Sequence, residues 1–572
     1  MRLLDTHNTT PTTTLRLMLA IVMAAAMSSC RPPAKEAATA PVPKPPRFQS
    51  ISAYPAEITL RTGKDHHRIL ATGTNAGWEV HIDRDVRFTS TPAGVVKVDA
   101  DGTVTGLKPG KAQVRVEADT RSAVVSVEVV PDSTGGQLGF TSDVLPVLSR
   151  SGCNAGGCHA KPEGQNHFKL SVFAYDPKGD YHAIVRDDRG RRVFPAAPGE
   201  SLLLQKATLA VEHEGGQRFE PGSEPFKTLV EWIRQGMPYS LTNEVELVDI
   251  RVFPAERRYQ KGAKQPLLVQ ARYSDDSVRD ITALADFSSN DKDVATVDEF
   301  GHVQVGTANG EGVIVVRFMG QVAVSRITVP ADRMLPDSLY AALPVNNEID
   351  RVVYNRLKGL GIAPSETCTD SEFIRRSSLD AIGTLPAPEQ VKAFLADTDP
   401  AKRNKWIDQL LENPAYAHHW AVKWGDLIRP NPSRVGVKPV YLLDLWLRDS
   451  FRQNKPYDQM VKELLTAEGS THRHGPAAIF RDKRDPADAS AFVSQIFMGV
   501  RMDCAKCHHH PNEKWSQDDY FQLAAFFTQT KHKGQGISAP ISGEPEFIWY
   551  APGGTVKNPV SGQVMKPKPP DG

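Results

Sequence analysis

Two short runs in this sequence hold cysteines and histidine at spacings with known chemistry. The first is Cys153-Asn154-Ala155-Gly156-Gly157-Cys158-His159, a C-x4-C-H. The second is Cys504-Ala505-Lys506-Cys507-His508, a full C-x-x-C-H, with His509 and His510 behind it. Two thiols so placed add to the vinyl groups of a haem as thioethers, and the adjacent His then falls beneath the iron as its proximal ligand. Cys153, Cys158, Cys504 and Cys507 are therefore the expected attachment points, His159 and His508 the expected axial ligands, and haem c, two per chain, the expected cofactor. The first run departs from the usual spacing by two residues, and its small Ala155, Gly156 and Gly157 allow a longer loop to pucker. Zinc is the alternative: Cys504, Cys507 and one of His508, His509 or His510 have ligand chemistry, although structural zinc draws its ligand pairs from separate segments. A redox dithiol is a third use of the same residues.

The elements around the clusters read as helices. Val144, Leu145 and Leu148 precede the first cluster at helical spacing; Phe492, Ile496 and Phe497 precede the second, and Tyr520, Leu523 and Phe526 follow it. Downstream of the first cluster stand PGESLLLQKAT (198–208), HEGGQRF (213–219) and LVEWIRQGMP (229–238). These passages resemble the planctomycete cytochrome-c-like domain. The resemblance implies a mainly α domain over 138–240 and a distal iron ligand from this segment, with Met237 and His213 as candidates; His510 is the corresponding candidate at the second cluster.

Residues 345–530 read as mostly helical. Ile349, Val352, Val353 and Leu357 form one apolar stripe, and Trp406, Ile407, Leu410 and Leu411 another. Ser371-Glu372-Phe373 and Pro388-Glu389 look like helix starts. The passages NEIDRVVYNRLKGLGIAPS, DSEFIRRSSLDAIGTLPAPEQVKAFLAD, NPAYAHHWAVKWGDLIR and NKPYDQMVKELLTAEGS, with His510-Pro511, Trp515 and Asp518-Asp519-Tyr520 around the second cluster, resemble a planctomycete domain of unknown function. In that family a second large domain commonly follows. Here a Gly/Pro-rich tail (531–572) stands in that place, so the expectation is either a short variant of the family or a separate C-terminal-domain protein as a partner.

A repeat flanks the first cluster. VVKVDADGTVTGLKPGKAQVRVEA (95–118) returns as VATVDEFGHVQVGTANGEGVIVVRF (294–318). Phe88 and Phe287, Val98 and Val297, Gly102 and Gly301, and Val104 and Val303 are each 199 residues apart. V-x-x-x-G-x-V places valines on one face of a hairpin with a tight turn at Gly. Residues 48–131 and 246–330 resemble the bacterial group 2 Ig-like domain, which implies two β-sandwiches serving as spacers or adhesive modules.

Residues 1–30 read as a secretory signal: Arg2 and Arg16, an apolar core from Leu17 to Met27, then Ser28, Ser29 and Cys30. The ending resembles the bacterial lipobox, with Cys30 the lipidation site. A Pro-rich tether (31–47) follows, as a spacer from a membrane should. The net charge of +1 and the absence of a long basic run argue against nucleic acid as a partner. Arg375-Arg376 with Asp380 suggest an ion pair, His418, His419, His472 and His474 surface or core roles, and Cys368 a buried thiol. No serine-nucleophile elbow, phosphate loop, dinucleotide fingerprint or H-E-x-x-H helix is present.

The fold class that follows is multidomain, with two all-β Ig-like sandwiches plus mainly α cytochrome-c-like and helical domains. The expected protein is exported and lipid-anchored to the cell envelope. Its first functional reading is a c-type haem protein for electron transfer to a redox partner protein, as a carrier or a haem oxidoreductase subunit, linked to extracellular polysaccharide breakdown. Its second is a non-redox surface binding or adhesion protein, with a polysaccharide as partner and Cys-His clusters stapled by zinc.

Overall fold

The computed structural model describes residues 47–570 apart from positions 162, 242–244, 334, 508, 509, 511, 512 and 535–542. The expected signal, the lipidation at Cys30 and the proximal ligand His508 lie outside the described residues.

The first repeat forms ten strands: β1 (Ser50–Tyr54), β2 (Glu57–Arg61), β3 (His66–Arg68), β4 (Leu70–Asn75), β5 (Trp78–His81), β6 (Val86–Thr91), β7 (Val96–Val98), β8 (Thr103–Gly106), β9 (Gly110–Ala118) and β10 (Arg121–Val130). They make sheets ordered β1-β4-β5, β2-β10-β9-β6 and β3-β8-β7. Alternate residues of β9 and β10 turn inward, so Val114, Val116 and Val125 are fully buried while Arg115 and Glu128 face outward.

The second repeat forms β11 (Leu247–Phe253), β12 (Glu256–Arg258), β13 (Lys264–Pro266), β14 (Leu268–Tyr273), β15 (Val278–Asp280), β16 (Asp286–Ser289), β17 (Ala295–Val297), β18 (His302–Val305), β19 (Gly310–Phe318) and β20 (Gln321–Val329). Its sheets, β11-β14-β15, β12-β20-β19-β16 and β13-β18-β17, repeat the first strand for strand. In both copies one edge strand, β2 or β12, runs parallel to its neighbour. Val98 stands opposite Val104, and Val297 opposite Val303. The turn glycines Gly102 and Gly301 have φ of +84° and +77°. A Cβ on either would lie 2.9 Å from Cζ of the equivalent Phe88 or Phe287, so the left-handed turn and the ring above it both require glycine there.

The two sandwiches are not beads on a string. Tyr54 and Phe253, equivalent residues that each precede a proline, stack with ring centroids 3.8 Å apart. Around that stack the contacts are reciprocal: β3 meets β15 while its equivalent β13 meets β5, and β2 meets β15 while its equivalent β12 meets β5. This is the pattern of a two-fold interface, built here within one chain. Its polar bonds are specific. The Arg68 amide donates to Asp280 (2.8 Å), the Tyr54 hydroxyl donates to Gln270 (3.0 Å), and the buried Arg257 pairs with Glu79 (2.9 Å).

Residues 138–240, between the copies, are mainly helical, with helices Leu145–Arg150, Pro177–Val185, Leu202–Ala207 and Glu224–Arg234 around Phe140, Leu148, Leu204, Leu229, Trp232 and Ile233. Leu284 and Met319 of the second sandwich pack into this core, and Arg150 donates to the Ala283 and Glu299 carbonyls.

Beyond residue 336 the chain is mostly helical. Thr369 and Glu372 form a capping box that starts the helix Asp370–Ile382, and Pro388 begins another. Trp406 and Leu410 are buried, whereas Ile407 and Leu411 on the same helix are exposed. The stripe on the helix Glu348–Leu360 is uncovered: Ile349 is 70% and Val352 58% exposed. The Gly/Pro-rich tail is folded onto the domain. Its strand Glu546–Tyr550 pairs with Thr530–Gly534 and with Gly469–Ser470, and Met565 packs beside Trp515 and Tyr520. Two minor expectations fail. Cys368 is half-buried rather than buried. Among the described residues Asp380 forms no ion pair with Arg375 or Arg376; the pairing carboxylate is Asp370, with Lys402 and Arg403. No helix among the described residues is long and apolar enough to cross a membrane.

Candidate functional site

The loop 151–160 turns back on itself after the helix Leu145–Arg150. The Cys153 amide donates to the Leu148 carbonyl (3.0 Å) and the His159 amide to the Cys153 carbonyl (3.1 Å). These bonds carry the backbone through the two extra residues and bring Cys153, Cys158 and His159 to the wall of one cavity of about 370 Å³. Its floor is apolar, made by Leu148, Phe168, Leu170, Leu202 and Leu203. His213 enters from the loop after the helix Leu202–Ala207. The rings of His159 and His213 are nearly parallel (11°), with centroids 6.2 Å apart. Each has its Nδ1 against a backbone carbonyl, Phe168 for His159 (3.1 Å) and Gly216 for His213 (2.8 Å), which fixes both rings.

The electrostatics of the cavity are positive. Lys161, Arg191, Arg192, Lys206 and Arg218 line it, against Glu214 as the acidic residue. The Arg218 guanidinium donates to Cys158 Sγ at 3.3 Å. Burial pushes the Cys153 thiol up to about 12, with Arg218 opposing the shift. His159 is held below the ordinary imidazole range, first by burial and then by the charges of His213, Arg192 and Arg218.

Of the candidate distal ligands, only His213 reaches this cavity. Met237 sits in the left-handed region (φ +58°) against the core, where its carbonyl accepts from the Tyr181 hydroxyl (2.8 Å). The five cations were not legible as a group in the sequence, because they come from four separated segments and carry no common spacing. The one available signal was the density of Lys and Arg between 161 and 218.

The second cluster is built differently. Cys504 lies on the short turn Met502–Lys506, half-buried, and Cys507 at its end is exposed. His510 lines a cavity of about 120 Å³ with Asn154, Tyr175 and Met319, which neither Cys504 nor Cys507 lines. That volume is below the few hundred Å³ of a cofactor pocket. At the first cluster Cys153, Cys158, His159 and His213 are all described. Among the described residues, no three His, Cys, Asp or Glu side chains converge as a metal-ion site would require. Cys153, Cys158, His159 and His213 together border the cavity of about 370 Å³.

Residues 348–532 match the family described as PSCyt2, protein of unknown function (DUF1549), and residues 50–129 match the bacterial Ig-like domain, group 2. The chain thus carries a DUF1549 domain and a bacterial Ig-like domain. No curated protein matches it. Solved structures similar to it include the S-layer protein rSbsC (12% identity over 50% of this chain and 28% of that one, TM-score 0.14). Domains 5–6 of the S-layer protein SbsC (11%, 50% and 100%, TM-score 0.22) and invasin, a bacterial integrin-binding protein (14%, 49% and 59%, TM-score 0.12), are others. The chain therefore spans about a quarter of the first of these. The family matches include no cytochrome c domain, so the expectation of an electron-transferring haem protein is corrected to the coarser statement that the chain carries a DUF1549 domain and a bacterial Ig-like domain.

Proposed function

We propose that this chain is an exported, non-redox binding protein of the cell surface, anchored through a lipidated Cys30. In this reading its two Ig-like sandwiches act as one rigid module that engages a surface polysaccharide. The observation that carries the reading is the intramolecular two-fold interface around the Tyr54–Phe253 stack. Interlocked sandwiches present a fixed surface, so binding loses little of its free energy to ordering the domains. Flexibly linked spacers would lack that property. The apolar segment 17–27 and the Ser28-Ser29-Cys30 ending support export and anchoring.

The test joins location to binding. The full gene is expressed in a bacterial host with an alkyne-palmitate label, intact cells are shaved with protease, and the purified chain is sedimented with insoluble cell-wall and plant polysaccharides. Label that disappears in Cys30→Ala, loss of the chain on shaving and co-sedimentation are expected. A chain that stays in the cytoplasm, or that pellets with no polysaccharide at micromolar concentration, would sink the proposal.

A further inference from the structure

The strongest unexplained feature is charge without partners at the cavity of the first cluster. Arg192 is the compensated cation there: it pairs with Asp188 and donates to the Ala183 carbonyl (2.9 Å). The others form no ion pair among the described residues, and Glu214 is the carboxylate that lines the cavity with them. Lys206 donates to the neutral Glu212 carbonyl, and Arg218 to the Cys158 thiol (3.3 Å). Among the described residues none of Lys161, Arg191, Lys206 and Arg218 makes an ion pair with a carboxylate. Clustered cations around a low-dielectric surface repel one another, and the arrangement is favourable when an anion completes it. The floor below them is leucine and phenylalanine, which asks for apolar surface.

We infer that this cavity binds an amphipathic anion, with an apolar body on the Leu148, Leu170, Leu202 and Leu203 floor and a carboxylate or phosphate among Lys161, Arg191, Lys206 and Arg218. The volume of about 370 Å³ admits a chain or ring system of moderate size. Arg218 is the centre of the site. A Cβ on Gly215 would come within 2.9 Å of the His213 ring and 3.1 Å of the Arg218 guanidinium, so the bare backbone there leaves room for both side chains. Its forked donors suit a carboxylate or phosphate better than a lysine would.

The experiment uses the purified full chain and two fluorescent probes, anionic 1-anilinonaphthalene-8-sulfonate and neutral N-phenyl-1-naphthylamine. The anionic probe is expected to saturate at about one per chain and to be displaced by dodecanoate or dodecyl phosphate at concentrations roughly tenfold below those of dodecanol. Displacement by either anion supports the inference, and the tighter of the two names the headgroup. Arg218→Gln with Lys206→Gln should weaken the anionic probe about tenfold and leave the neutral probe within about twofold. Where that pair fails to fold, Lys161→Gln with Arg191→Gln serves, since neither side chain has a hydrogen-bonding partner among the described residues. Equal displacement by dodecanol, or full affinity for the anionic probe in a variant with unchanged melting temperature, would overturn the inference.

Discussion

Cys153 and Cys507 show how far environment separates chemically identical residues. The thiolate is the nucleophile, and burial holds Cys153 protonated up to about 12, whereas Cys507 stands exposed. Iodoacetamide at pH 8, read by mass spectrometry, should label the exposed Cys507 well ahead of the half-buried Cys153; equal rates in the folded chain would contradict the difference in their surroundings. Asp180 titrates in the opposite sense from most carboxylates. Burial raises it to about 7, against the Ser171 amide and hydroxyl that donate to it (2.5 and 2.7 Å). Its folded value lies above its unfolded one, so the folded state binds the proton more tightly. As far as this group is concerned, stability is then highest below about pH 4. It falls by about 1.4 kcal/mol for each pH unit climbed from there until the folded carboxyl ionises near 7. Melting curves of Asp180→Asn against pH should lose that slope.

At the scale of the element, local backbone rules explain single positions. Gly102 in its left-handed turn sits where a Cβ would approach the Ile69 carbonyl to 2.7 Å and Phe88 to 2.9 Å. Gly102→Ala should therefore destabilise the first sandwich by more than about 1 kcal/mol, and Gly301→Ala the second similarly. Urea unfolding checks both, and a neutral result would mean that the turn relaxes without cost. Thr369→Ala removes the N-cap hydroxyl of the helix Asp370–Ile382, which accepts from the Glu372 amide (3.3 Å) and donates to the Glu372 carboxylate (2.8 Å). Its expected cost is about 1 kcal/mol, confined to the helical domain.

The whole molecule is organised by contacts between domains. Arg257 is buried against Gln265 (2.8 Å) and reaches Glu79 of the other sandwich (2.9 Å). Arg257→Glu places two carboxylates together in the two-fold interface and should part the sandwiches, seen as a larger radius of gyration in X-ray scattering and faster proteolysis between them. Adding Glu79→Arg should restore most of the compactness. If Arg257→Glu leaves both measurements unchanged, the interface is held by the Tyr54–Phe253 stack and the Asp280 and Gln270 bonds without it. The same scale explains the missed tail. Met565 and Ile548 lie in a tail rich in proline and glycine, and only the helical domain they pack against makes them core.

The sequence by itself determined the repeat and its turns, because period-two valines and an obligate left-handed glycine are local properties that any chain must obey. It also determined the helices of the third region and where several of them begin, since stripes and caps are written within a dozen residues. Three things were decided only by tertiary structure. The two copies interlock, because Tyr54 meets Phe253 across 199 residues of chain that carry no mark of the meeting. His213 and not Met237 joins the first cluster, because the fold turns Met237 into its core. The cluster lies under a rim of uncompensated cations, because charges from separate segments acquire a common field only when folding brings them around one cavity.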